Sequence, residues 1–185
     1  ETSILALNKL DINGFDRIAC TQWNKNIAHV SDGVAIGSGL IYLYYVIRSD
    51  TRSSAMNIGS VAFQSLMLSQ ALSNSFKLTL RNRPYMYNPD VDMAEKRKQD
   101  GRMSFFSAHT STVSALCFSF AFAHQTYLDK NKSNTAIWVG AFTLPAVEGL
   151  LRVKAGKHFP SDVIVGYLTG LGTSYLMHRL HKVSK

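Results

Sequence analysis

Apolar residues recur at helical spacing along most of this 185-residue chain, and no stretch alternates between apolar and polar positions for long enough to predict a strand. Five long helical segments are predicted, and they cover residues 33–47, 56–77, 104–127, 135–151 and 159–176. Most of the connections between them are short and polar, which is typical of helices that pack side by side in alternating directions. We therefore predict an all-α fold, an up-and-down bundle of five long helices.

Two segments outside these helices have patterns of their own. Residues 1–28 have apolar residues on one side of two helical pieces, which are separated by the turn signal Asn13-Gly14. These pieces are predicted as amphipathic helices, which either pack on the core or lie on a membrane surface with Trp23 at the level of the headgroups. Residues 78–103 contain prolines, a glycine and many charges, so they are predicted as a long loop. We expect the whole chain, 1–185, to form one domain.

The long helices contain few charges, which bears on whether they cross a membrane. Residues 33–47 are uncharged, but they fall short of the roughly 20 residues that span a bilayer unless the helix begins earlier. Residues 56–77 contain no charge before Lys77, and uncharged polar residues such as Asn57 and Gln64 recur at helical spacing. A half-exposed helix of a soluble protein normally carries lysine and glutamate on its wet side, whereas this stripe suits the interior of a membrane bundle. The pattern therefore favours membrane-spanning helices.

The chain is basic, with a formal net charge of +8 at pH 7, although only 17% of its residues are charged. A positively charged protein attracts anions, such as anionic lipids, nucleic acids or phosphorylated substrates. The basic residues form no long run, so we expect no nucleic-acid partner. The two cysteines, Cys20 and Cys117, lie far apart and form no metal-binding or redox motif, so we expect no disulfide framework.

Counting helices brings three polar clusters to one end of the bundle. If consecutive helices run in opposite directions, four helix termini lie at the same end of the bundle. They are the C-termini of the second and fourth helices and the N-termini of the third and fifth. The clusters at these helix ends are Lys77 with Arg83-Pro84, Ser107-Ala108-His109, and Arg152 with His158 and Asp162. Only a loop that crossed to the other end of the bundle between residues 78 and 103 would separate them.

The first two clusters each have a chemical and a purely structural interpretation. Cations beside a helix end, such as Lys77 and Arg83, can bind a phosphate group or can simply be solvated. Small and hydroxyl residues at a helix start, such as Ser107 and Ala108, leave backbone N–H groups free to hold an anion. His109 lies in the first turn of that helix, where it is either catalytic or structural.

The third cluster places His158 and Asp162 four residues apart, with Pro160 at the predicted first position of the fifth helix. A carboxylate one turn away can accept a hydrogen bond from the imidazole, fix its tautomer and make it a better nucleophile or base. Asp162 could equally serve only to satisfy the N-terminus of the helix. Arg152 adds an anion-binding guanidinium, so the three clusters together predict a site for phosphate transfer.

In order and spacing, these motifs resemble those of the type 2 phosphatidic acid phosphatase superfamily, which also includes bacterial class A acid phosphatases and vanadium haloperoxidases. The family pattern is a lysine followed by Arg-Pro, then Pro-Ser-Gly-His, then Ser-Arg, five residues, His, three residues and Asp. The third motif matches in its spacing from Arg152 to Asp162. Departures are the shorter interval between Lys77 and Arg83, and the residues Phe106, Ala108 and Leu151 in place of proline, glycine and serine.

The resemblance implies a role for each residue. His158 would be the nucleophile that forms a phosphohistidine, Asp162 would orient it, and His109 would be the acid and later the base. The phosphate group would be held by Lys77, Arg83, Arg152 and the backbone N–H groups of Ser107 and Ala108. No metal ion and no other cofactor is expected, because the three cations already neutralise the phosphate group.

The resemblance thus implies a metal-independent phosphatase that acts on a lipid phosphomonoester or a lipid pyrophosphate, with residues 78–103 as an active-site loop. A soluble periplasmic acid phosphatase, a vanadate-dependent peroxidase and a non-catalytic bundle that binds phospholipid are the alternatives. We expect a bacterial-type inner membrane, with the site facing the periplasm, because basic residues gather at the opposite bundle end. These are Arg48, Arg52, Lys130, Lys132, Arg179, Lys182 and Lys185.

Overall fold

Five long helices form the bundle in the computed structural model, which describes Ile4 and residues 6–48, 52–127 and 135–183. We number them α1 Lys25–Ile47, α2 Arg52–Lys77, α3 Ala108–Tyr127, α4 Thr135–Lys154 and α5 Pro160–Val183. The described residues contain no strand, so the predicted all-α bundle is confirmed. α1 begins well before residue 33 because the Asn24 side chain accepts a hydrogen bond from the N–H of Ile27 and caps the helix there.

α3 is the central helix, since it packs against each of the other four. Its start lies very close to α5, because a Cβ atom on Gly166 would lie 2.6 Å from the carbonyl oxygen of Ser107. The hydroxyl of Ser114 then donates to the carbonyl of Tyr167 at 2.7 Å, further along the same interface. Small residues at this interface therefore hold the starts of α3 and α5 side by side, which is where two of the predicted clusters lie.

The long connection between α2 and α3 folds back to the end of the bundle from which it starts. It contains three single helical turns, Pro84–Tyr87, Met93–Lys96 and Gln99–Arg102. The N–H of Ser104 donates to the carbonyl of Arg81 at 2.9 Å, so the loop closes on itself before α3 begins. The loop does not cross the bundle, and the ends of α2 and α4 lie beside the starts of α3 and α5.

The segment before α1 differs from the prediction. Within residues 6–24, which are all described, it forms only single turns, at Lys9–Asp11, Gly14–Arg17 and Ile18–Thr21, rather than two amphipathic helices. Asparagine side chains start the first two turns, because Asn8 and Asn13 each accept a hydrogen bond from the N–H two or three residues on. The segment packs on the polar end of the bundle, where Ala19 and Cys20 contact Phe159.

Two helices, α1 and α4, are long and apolar enough to cross a membrane. They have 23 and 20 residues, and the mean hydropathy of their most apolar windows is 1.4 in both. Much of their apolar surface faces outward, including Ile36, Leu40 and Ile47 on α1 and Phe142 and Leu150 on α4. Apolar surface of this extent on the outside of a bundle is typical of an interaction with lipid or with another protein.

Candidate active site

A polar cavity of 360 Å³ lies at the end of the bundle where the predicted clusters meet. Its lining combines α1, the long loop and the ends of α3 and α4, with the residues Trp23, Lys25, Ala28, His29, Asp32, Arg83, Glu95, Lys98, Asp100, His109, Arg152 and Lys157. Three other pockets, of 330, 490 and 340 Å³, contain none of the predicted site residues, and the first two of them are apolar. The polar cavity is therefore the candidate active site.

Asp162 and His158 form a buried pair next to the cavity, although neither of them lines it. The N–H of His158 donates to the carbonyl of Arg152, a lining residue, at 3.4 Å. Asp162, in the first turn of α5, accepts hydrogen bonds from the Ser104 hydroxyl at 2.5 Å and the Phe159 N–H at 3.0 Å. Its Oδ2 atom lies 3.6 Å from Nδ1 of His158, whose side chain is only 3% exposed. The carboxylate thus favours the tautomer with a proton on Nδ1, which leaves the lone pair on Nε2 at the other edge of the ring.

Burial sets the charge of this pair. Burial lowers the pKa of His158 to about 3, although the nearby Asp162 carboxylate opposes the shift. Burial alone would raise the pKa of Asp162, but the contacts with His158, Ser104 and Arg81 hold it below its ordinary value. At neutral pH the pair is therefore a neutral imidazole beside an ionised carboxylate, the form in which an imidazole is nucleophilic.

Arg81, which the sequence did not single out, anchors this pair. Its Nη1 atom donates to Oδ1 of Asp162 at 2.5 Å, and its Nη2 atom donates to Oδ2 of Asp16 at 2.7 Å. Asp16 is buried, and it also accepts from the N–H and the hydroxyl of Ser161 at 2.9 and 2.7 Å. Arg81 therefore joins the segment before α1 to the first turn of α5, on the side of Asp162 away from the imidazole.

Removing this arginine should destabilise the protein. In Arg81→Met, Asp16 and Asp162 would both lose their counter-charge, and breaking such a buried pair costs about 3 kcal/mol. Chemical or thermal unfolding measures the loss, with the exposed Arg179→Met as the matched control at the other end of α5. Equal stability of the two variants would show that Arg81 is not an anchor.

Arg152 and His109 are joined by a second residue that the sequence did not single out, Asp32 of α1. Nη1 of Arg152 donates to Oδ1 of Asp32 at 3.0 Å, and Nε2 of His109 lies 3.1 Å from the same oxygen. Nη1 of Arg152 also donates to the hydroxyl of Ser31 at 3.2 Å, and that hydroxyl donates to Oε1 of Glu148 at 2.5 Å. One face of α1 therefore holds both groups in position.

Arg83 is also buried, and three of its five guanidinium N–H groups donate to protein oxygens. It donates to the Asp100 carboxylate at 2.6 Å, to the Asp100 carbonyl at 2.8 Å and to the Lys157 carbonyl at 3.1 Å. Asp32 and Asp100 thus each neutralise one of the two arginines in the cavity. Neither acid was predicted. Asp32 lies far in sequence from Arg152, and Asp100 lies in a run of mixed charges.

Three predicted phosphate-binding residues do not line the cavity. Lys77, at the end of α2, is half-buried, and burial and the nearby Arg83 lower its pKa. The N–H of Ser107 is not free for an anion, because it donates to the Asp162 carbonyl at 3.1 Å. Ala108 is the first residue of α3 and also lies outside the lining. Within the described residues, no three His, Cys, Asp or Glu side chains form a group that could hold a metal ion.

Acid should destabilise the protein through the two buried histidines. Burial lowers the pKa of His109 to about 4 and that of His158 to about 3. Below pH 6.5 the unfolded chain binds protons on both rings while the folded protein does not, so the free energy of unfolding falls as the pH falls. Each histidine contributes a slope of about 1.4 kcal/mol per pH unit. The free energy of unfolding, measured at several pH values from 7 to 5, gives this slope. In His158→Gln the contribution of one histidine to the slope should disappear, and an unchanged slope would contradict the prediction.

The comparisons with known proteins concern the family and the fold of the chain. The sequence model of the PAP2 superfamily matches residues 59–185, which include all three motifs but not α1. The crystal structure of LpxE from Aquifex aeolicus is similar in fold, with a TM-score of 0.58 and 21% sequence identity. The similarity covers 84% of this chain and 82% of that one. A comparison with curated protein sequences gave no significant match. The resemblance drawn from the motifs is confirmed, and the chain belongs to the PAP2 superfamily.

Proposed function

We propose that this protein removes phosphate from a lipid phosphomonoester or pyrophosphate through a phosphohistidine intermediate. Its membership of the PAP2 superfamily supports a phosphatase activity. One observation carries the proposal: the buried His158–Asp162 pair adjoins a cavity lined by Arg83, Arg152 and His109, since the N–H of His158 donates to the carbonyl of Arg152. This combination supplies a nucleophile, cations for the phosphate oxygens and a proton donor.

The proposed reaction has two steps. Nε2 of His158 attacks phosphorus as the bond from phosphorus to the leaving oxygen breaks, and His109 gives that oxygen a proton. Asp162 keeps its charge and holds the Nδ1 proton, while Arg83 and Arg152 neutralise the phosphate oxygens. His109 then takes a proton from a water molecule, whose oxygen attacks phosphorus, and the N–P bond breaks to release inorganic phosphate and the free imidazole. Lys77 remains a predicted third cation.

Asp32 is proposed to position His109 for its role as the acid. Its Oδ1 atom contacts both His109 and Arg152, and its negative charge favours the protonated imidazole. Burial and Arg152 lower the pKa of His109 to about 4, and Asp32 opposes that shift. The carboxylate thus keeps the acid closer to the pH at which the enzyme would work.

Asp32→Asn should therefore move the pH profile to lower pH. The variant keeps the shape of the side chain but loses its charge, so the limb of kcat/KM that reports His109 should fall at a lower pH. Activity at pH 7 should decrease by about 10- to 100-fold, less than the roughly 10²- to 10⁴-fold that a positioned general acid contributes, because His109 itself remains. The pH dependence of kcat/KM is the measurement. If the variant were instead faster and bound inorganic phosphate more tightly, Asp32 would be a competitor for the anion site.

A lipid substrate is proposed because the bundle exposes apolar side chains along α1 and α4, below the cavity. A membrane around these helices would place the cavity at the membrane surface, where a lipid headgroup lies.

We propose that the site faces the periplasm, since the described residues Arg48, Arg179 and Lys182 lie at the opposite end of the bundle. A soluble acid phosphatase would not need detergent for its extraction, so recovery without detergent would contradict this placement.

A phosphate-release panel tests the proposed function. It should contain diacylglycerol phosphate, phosphatidylglycerol phosphate, a polyprenyl pyrophosphate, lipid A and a soluble aryl phosphate, each assayed with EDTA present. We expect release from at least one lipid at a kcat/KM well above that for the aryl phosphate. Release from the aryl phosphate alone would favour the soluble phosphatase. Release from none would contradict a catalytic role, and bromide oxidation with added vanadate would then test the peroxidase alternative.

A further inference from the structure

Three lysines outside the family motifs converge on one carboxylate in the candidate cavity. The Nζ atoms of Lys98 and Lys25 lie 2.9 and 3.6 Å from Oε2 of Glu95, and that of Lys157 lies 3.8 Å from Oε1. The lysines come from the start of α1, the long loop and the turn before α5. Three ammonium groups facing one carboxylate leave two positive charges unbalanced; we call Lys25, Lys98, Lys157 and Glu95 the lysine cluster.

The other charges of the cavity are matched one to one. Arg83 pairs with Asp100 at 2.6 Å, and Arg152 pairs with Asp32 at 3.0 Å. The surplus of positive charge in the lining therefore lies at the lysine cluster, apart from the arginines that are proposed to hold the scissile phosphate. A surplus of this kind attracts an anion.

Lys157 is held in place rather than solvated. Its side chain is 16% exposed, and its ammonium lies 5.0 Å from the centre of the Trp23 ring and 4.9 Å from that of Tyr85. Burial and the nearby Arg83 lower its pKa, since both disfavour the charged form of the lysine. An anion bound at the lysine cluster would relieve this cost, and the two rings fix the ammonium so that little side-chain entropy is lost on binding.

The lysine cluster and the arginines belong to one cavity. Arg83 donates to the backbone carbonyl of Lys157 at 3.1 Å, so the two regions are directly connected. The cavity of 360 Å³ falls in the size range of sites that hold small molecules, and it has room for a headgroup larger than a single phosphate. A ligand that reached both regions would need two anionic groups.

We infer that the lysine cluster binds a second anionic phosphate group of the substrate, carried by the same headgroup as the phosphate that is hydrolysed. The inference rests on the proposed function and narrows its substrate class to lipid phosphomonoesters that also contain a phosphodiester or a second phosphate. The ammonium groups recognise the charge of this group without contacting the reacting atoms, so the cluster affects the choice of substrate and not the chemistry.

The test uses the double variant Lys25→Gln/Lys98→Gln. Both side chains are more than 60% exposed, so the variant should fold. Phosphatidylglycerol phosphate carries two phosphates and diacylglycerol phosphate carries one, and both are assayed with the same acyl chains in the same micelles. We expect kcat/KM to fall about tenfold or more for the first substrate and less than about threefold for the second, because removing a charge-assisted hydrogen bond typically weakens binding by about a factor of ten. The matched control is Lys9→Gln/Lys154→Gln, which removes two exposed lysines outside the cavity.

An equal decrease on both substrates, or the same decrease in the control, would overturn the inference and show a general attraction to anionic surfaces. A binding experiment separates this failure from failure of the proposed function. Calorimetry of the intact protein with 1,3-propanediol bisphosphate and with propyl phosphate needs no turnover. The wild type should bind the bisphosphate about tenfold more tightly than propyl phosphate. The double variant should bind the two ligands with similar affinity. Equal affinities in the wild type would refute the lysine cluster as a second anion site, whether or not the protein is a phosphatase.

Discussion

Replacing His158 with alanine is expected to abolish phosphate release, with a decrease in kcat of at least about 10³-fold. The imidazole is the proposed nucleophile, and water cannot replace it in the buried position next to Asp162. Rapid quenching with a ³²P-labelled substrate should trap an acid-labile, base-stable phosphoryl group on the wild-type protein and none on the variant. His181→Ala, at the far end of α5, is the control, since this partly exposed histidine contacts Gln64 instead of the cavity.

The decrease in His158→Ala should not come from unfolding. Asp162 would keep its hydrogen bonds from Ser104 and Arg81, so the variant leaves no buried carboxylate without a partner. The unfolding temperature should therefore fall only by the cost of the cavity that the missing ring leaves, and the variant should stay folded at the assay temperature. A folded variant that still released phosphate, or label that was trapped in the His158→Ala protein, would contradict the proposed nucleophile.

The sequence predicted the bundle because the information for a helix is local. Periodic apolar positions mark α5, and Pro160 marks its first residue. Pro145 does not end α4, because the helix continues through it to Lys154. The order of the helices then brought Arg83, His109, Arg152 and His158 to one end, because a chain of antiparallel helices has few ways to pack.

The parts of the site that the sequence did not predict depend on contacts across long stretches of chain. Arg81 bonds to Asp16 and Asp162, which are 65 and 81 positions away, and Arg152 bonds to Asp32 across 120 positions. Pro84 marks Arg83 as part of a motif, whereas nothing in the local pattern marks Arg81 or distinguishes Asp32 from any polar residue at the edge of an apolar helix. Ser107 shows the reverse case: its position at a helix start suggested a free N–H, but the fold uses that N–H to join α3 to α5.

Replacing Arg152 should separate the catalytic and the structural use of one side chain. Arg152→Ala should lower kcat/KM by about 10²- to 10³-fold, the usual effect of removing one group that stabilises the transition state. It should also destabilise the fold, because Asp32 and the fully buried Glu148 would lose the nearby positive charge. Arg152→Lys keeps the charge but not the planar fork, so it should recover stability more than activity.

The double variant Arg152→Ala/Glu148→Gln then distinguishes the two effects. Glu148 is bonded to Ser31 through Oε1, while its Oε2 atom has no hydrogen-bond partner among the described residues, so an amide there removes the buried charge with little change in shape. The second substitution should restore the unfolding temperature of Arg152→Ala and leave its kcat/KM unchanged. If the unfolding temperature and kcat/KM both recovered, Arg152 would act through the fold alone. If Arg152 contacts the phosphate, only the unfolding temperature should recover.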